Sequence, residues 1–116
     1  MNKAGCRHGE QSAISEMIYF GTGIPGGGTV SSEEWAVFLR TAVTPRFPSG
    51  LTVWSASGQW QSADGSITSE SSFVLNLLHP ATPDAEADVQ AVATEYKTRF
   101  KQEAVLRVRA QACISL

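Results

Sequence analysis

Tyr19, Asn76 and Arg107 are polar side chains set in short, otherwise apolar stretches, "EMIYF", "FVLNLL" and "AVLRVRA". If strand alternation carries them to one face of a sheet, a phenol, an amide and a guanidinium converge on an apolar floor. That set suits a small anionic or carbonyl ligand, with Arg107 supplying a two-pronged fork and Glu70 a candidate counter-ion. His79 follows the last apolar residue of its strand and precedes Pro80, where a general base would stand at the sheet's rim, so it is the candidate catalytic residue. The plainer reading makes Arg107 and Arg109 edge-strand charges that discourage aggregation, and satisfies Asn76 inside a dimer interface.

Other motifs carry less. Gly21, Gly23 and Gly26 spell G-x-G-x-x-G after a strand, but Pro25 intervenes and the next helix starts about five residues later. Helix amides therefore do not begin at the glycines, as a dinucleotide site needs, and a flexible loop is expected instead. Cys6 and Cys113 lie at opposite ends of the chain and fit no C-x-x-C metal or redox spacing, so no metal and no cofactor is expected. Nine basic residues against eleven acidic give a net charge of −2. With no cationic cluster beyond residues 97–101, nucleic acid is not an expected partner. No apolar run approaches the ~20 residues that cross a bilayer.

The elements that would position these side chains follow from local patterning. Residues 16–20 are apolar on both faces, as in a central strand. Ser31 and Glu34 stand at capping-box spacing, and Trp35, Phe38, Leu39, Ala42 and Val43 draw one helical stripe that Pro45 and Pro48 close. Residues 51–56 and 66–78 read as strands joined by an Asp64-Gly65 hairpin, with Gly58 as a bulge. Thr82 with Pro83 starts a second helix, whose stripe runs through Ala85, Val89, Val92, Ala93, Tyr96 and Phe100 and whose last turn carries Lys97, Arg99 and Lys101. Residues 104–110 alternate as a fourth strand.

The order β-α-β-β-α-β predicts a ferredoxin-like α+β domain, a four-stranded antiparallel sheet of order 4-1-3-2 with both helices on one face. A flexible tail over residues 1–14 would precede a single domain over 15–116. The helix-covered layer is then Ile18, Phe20, Phe73, Leu75, Leu77, Leu106 and Val108, leaving Tyr19, Asn76, Arg107 and Arg109 on the open face. Trp54 and Trp60 fall on the open or hairpin-extended side and are candidate interface residues. Strand four returns Cys113 towards the tail holding Cys6, so the two cysteines are either bridged or a pair of free thiols.

Taken together, "EMIYFG", "TPRFPSGLTV", "GQW", "ADG", "VLNLLHP", "YKTRFKQEAVLRV" and "ACISL" resemble the bacterial family catalogued as domain of unknown function 3574, over roughly residues 16–115. The resemblance implies export and a Cys6–Cys113 pair, and it carries no catalytic residue. Without that pair the chain would be placed in the cytoplasm. Two readings stay open. One is a binding or interaction domain that uses the open sheet face, as a homodimer or over a small ligand. The other is a small-molecule enzyme of the dimeric ferredoxin-like type acting on a carbonyl or aromatic compound.

Overall fold

A computed structural model describes residues 5–116 of the chain. Four antiparallel strands, β1 (Gln11–Gly21), β2 (Thr52–Gln61), β3 (Ile67–His79) and β4 (Leu106–Ile114), form one sheet in the order β2-β3-β1-β4. Two helices, α1 (Ser32–Phe38) and α2 (Pro83–Arg99), supply the buried layer on one side. The α+β architecture and the strand order match the expectation from sequence.

Local chemistry accounts for the element boundaries. The Ser31 hydroxyl accepts from the Glu34 amide at 3.1 Å while the Ser31 amide donates to the Glu34 carboxylate at 2.9 Å, a complete capping box. Past Phe38 the helix widens into a π-helical turn, Leu39–Val43, closed by the Thr44 amide donating to the Leu39 carbonyl at 2.8 Å. Thr82 caps α2 through the Ala85 amide at 3.2 Å, with Pro83 in the first turn, where its missing N–H goes unused. At the hairpin tip Asp64 accepts from the Ser62 and Ser66 hydroxyls and the Ser66 amide. Those bonds, Ser66 foremost, hold its carboxyl down at about 2. Gly65 takes φ +91°, a conformation that disfavours a side chain.

The core is an aromatic cluster between helices and sheet. Trp35 stacks flat on Phe73 with ring centroids 4.7 Å apart, and Phe20 meets Tyr96 edge-on at 4.6 Å. The Tyr96 hydroxyl is satisfied by the Gly21 carbonyl at 2.6 Å, and burial pushes its ionisation upward.

Three expectations are corrected. Gly58 is not a bulge, because β2 and β3 pair without interruption from Thr52↔Asn76 to Gln61↔Ile67. The first strand starts at Gln11 rather than residue 16, since β4 runs on to Ile114 and pairs with it there. Of the expected tail, residues 1–4 lie outside the described residues. The third correction concerns β4. Residues directly opposite in an antiparallel pair project to the same side. Arg107 lies opposite Ile18 and Arg109 opposite Glu16, whereas Leu106 lies opposite Tyr19. The arginines therefore face the helix side, and Leu106 and Val108 the open side, the reverse of the expected layers.

Cys6 is bonded to Cys113, with Cα atoms 5.4 Å apart, which ties the start of the described chain to the last strand. Cys6, Glu10 and Cys113 cluster closely, but the bonded sulfurs offer no thiolate to a metal. The bridge spans a sequence separation of 107 residues. Loops of that size stabilise by restricting the unfolded chain, so Cys6→Ser/Cys113→Ser is expected to cost about 2–4 kcal/mol in urea unfolding. A loss below about 0.5 kcal/mol would contradict this role.

Candidate functional site

Rows of side chains run across the sheet because the register is continuous. On the open side Leu106, Tyr19, Val74 and Trp54 form one row over all four strands, and Val108, Met17, Asn76 and Thr52 form the next. On the helix side the corresponding rows are Arg107, Ile18, Leu75, Val53 and Arg109, Glu16, Leu77. The sheet thus separates an apolar front from a back that is apolar at its centre and charged along the β4 edge.

Glu16 organises that charged edge. It sits on the central strand with 0% of its side chain exposed, so its carboxylate must be compensated within the protein. Arg107 donates to it from Nη2 at 2.7 Å and Nε at 3.4 Å. The other edge of the same guanidinium meets Glu86 of α2 in a two-pronged pair, both contacts at 2.9 Å. Hydrogen bonds from Arg107 pull the Glu86 carboxyl below the usual range, and those to Glu86 and Glu16 push the arginine higher still. Arg109 approaches Glu16 only to 4.0 Å and keeps 58% of its side chain exposed.

His79 completes the cluster. Its Nδ1 lies 2.7 Å from the Pro80 carbonyl, which can only accept, so Nδ1 carries a proton. Its Nε2 faces Glu16 Oε1 at 3.3 Å. Arg107 is shared between Glu16 and Glu86, and Arg109 stands at the edge of the cluster without a hydrogen bond to either carboxylate. Above the cluster, at the start of α2, opens a pocket of about 540 Å³ lined by His79, Ala81, Thr82, Pro83, Glu86, Arg107 and Arg109.

The residues singled out from sequence are therefore divided between two faces. Tyr19 and Asn76 share the open side, but Arg107 points away from them, so the three do not converge on one ligand. The Asn76 amide donates to the Glu16 carbonyl at 3.0 Å and holds β1 rather than presenting itself to solvent. Glu70 is not the counter-ion of Arg107; Glu16 and Glu86 are. His79 is buried at 4% exposure, with both ring nitrogens engaged. Trp54 and Trp60 are 44% and 58% exposed. Glu16 itself was missed. The signal for it was a lone acid at the same strand parity as Ile18 and Phe20.

Sheet, helices and charged back edge define a ferredoxin-like α+β domain. The chain belongs to the family described as Protein of unknown function (DUF3574), whose model matches residues 15–116. No curated protein matches the chain significantly. Among solved structures, a phage SAM lyase in complex with S-methyl-5'-thioadenosine has a similar fold, with a TM-score of 0.61 and 18% identity over 96% of this chain and 93% of that one. The apo state of a phage SAM lyase gives a TM-score of 0.62 and 18% identity over 90% of each chain.

Leaving a buried charge without its partner is far costlier than removing both members of the pair. Arg107→Met is expected to destabilise the fold by about 3–5 kcal/mol, and adding Glu16→Met to recover most of that loss. Urea unfolding of the two variants measures this, and a double variant no more stable than Arg107→Met would refute it.

Proposed function

We propose that this is a binding domain that works as an assembly of identical chains, with the open sheet face and the β2–β3 hairpin as the contact surface. The observation that carries the reading is surface left uncovered. The chain exposes 7389 Å² at 12.4 kDa, whereas a folded monomer of that mass exposes roughly 6,100 Å². The surplus exceeds the ~800 Å² that each partner contributes to a standard interface. Shape agrees with area, since the radius of gyration is 16.2 Å over extents of 51 × 34 × 22 Å, against about 13 Å for a compact domain of this length.

The excess has an address. Along the outer part of the hairpin, residues 57–61 and 67–71 are exposed on both sides of the ribbon. A two-stranded ribbon alone is marginal in water, and this one carries Trp60 and Ile67. Trp54, Tyr19, Leu78, Leu106 and Val108 extend the apolar surface over the open face. Glu70 is the one charged residue at an outward position of the four strands. A nearly uncharged face meets a copy of itself without like-charge repulsion, which favours a second copy over a charged partner. The Cys6–Cys113 bond favours a working place in an oxidising compartment, periplasmic or extracellular.

A second reading, an enzyme acting on an S-adenosyl compound, is favoured by the likeness in fold to the two phage SAM lyase structures. In this chain the exposed ring of Trp54, in one row with Tyr19, offers an adenine a stacking surface. Incubation with S-adenosylmethionine separates this reading from binding alone: a released S-methyl-5'-thioadenosine signal supports it, and unchanged substrate counts against it.

Light scattering coupled to size exclusion tests the assembly. The native mass is expected at a whole multiple of 12.4 kDa, falling to one chain in Trp54→Glu/Trp60→Glu. A wild-type chain that stays a monomer at about 100 μM, well above the affinities of stable interfaces, would overturn the proposal.

A further inference from the structure

We propose that the pocket at the start of α2 binds a small singly charged oxyanion, a carboxylate or a phosphate diester, with Arg109 as its principal donor. The site lies behind the sheet, independent of the association surface. Three features of this pocket support the assignment.

The first is charge. With Arg107 hydrogen-bonded to both Glu16 and Glu86, Arg109 is the cation of the cluster that lacks a hydrogen-bonded partner among the described residues. Its nearest carboxylate oxygen is 4.0 Å away, beyond hydrogen-bonding reach. Arg107, by contrast, is fully engaged and held in place by Glu16, Glu86 and Gln90. It forms a fixed positive wall rather than the mobile donor.

The second is a further donor in the same lining. Thr82 lines the same pocket, and its hydroxyl, which accepts from the Ala85 amide, keeps its own proton to donate. Here α2 begins, a helix of 17 residues whose positive end adds to the field of the guanidinium groups. The third is size. About 540 Å³ falls in the range of small-molecule sites. Glu86, with half of its side chain exposed at the rim, limits the charge the pocket accepts, because a second negative charge on the ligand would face that carboxylate.

The test is an NMR titration of the full chain that follows the Arg109 Nε–Hε and Thr82 amide signals. Acetate and dimethyl phosphate serve as separate probes, and sodium chloride at matched ionic strength as the control. Saturable shifts with at least one probe, at a dissociation constant of about 1 mM or tighter, are expected, and the probe that saturates identifies the ligand class. Arg109→Gln, at an exposed position, is expected to weaken that binding at least tenfold while the amide spectrum stays folded. Linear shifts that only follow ionic strength, or saturation unchanged in Arg109→Gln, would overturn the proposal.

Discussion

One buried carboxylate sets the terms for the rest of the structure. Glu16 lies on the central strand, in the row that also holds Ile18 and Phe20, with no exposure to water. A charge in that position is tolerated only with donors on neighbouring elements. β4 supplies one by turning Arg107 inward and β3 another by ending on His79, while α2 holds Arg107 in place through the Glu86 carboxylate that accepts from it. The parity of a whole strand follows from satisfying that one group.

The consequence appears on the opposite side. Turning the arginines inward sends Leu106 and Val108 outward, beside Tyr19 and Met17, and strips the open face of nearly all charge. A surface that would otherwise have been guarded by edge cations becomes an apolar plane continued by a hairpin with water on both sides. The buried ionic cluster and the apolar open face are thus two results of one choice of register. Cys6–Cys113 secures the same pair of strands at their far end, where Ser12 lies opposite Cys113.

Much of this was legible because local signals encode it. Ser31 with Glu34, Thr82 with Pro83, and Asp64 with Gly65 each mark a boundary through a hydrogen bond or a backbone angle that near neighbours determine, and each is found in the fold. Strand order followed from the order of the elements. The facing of β4 did not. The pattern "LRVRA" alternates cleanly but permits either parity, and the rule that apolar residues face the core selects the wrong one. Only the tertiary position of Glu16 decides it. That acid was hidden in a stretch that reads as apolar, and its partners lie 63 and 91 residues away in sequence. Gly58 misled for a related reason: it sits where the ribbon has open space beside it, so no packing or bulge calls for glycine.

Exchange of the arginine side-chain protons with water tests most directly which way β4 faces. In 15N-labelled protein the Nε–Hε proton of Arg107, enclosed by Glu16 and Glu86, is predicted to exchange slowly, and that of Arg109 rapidly. Equally rapid exchange at both would place Arg107 on the wetted side of the sheet and contradict the account.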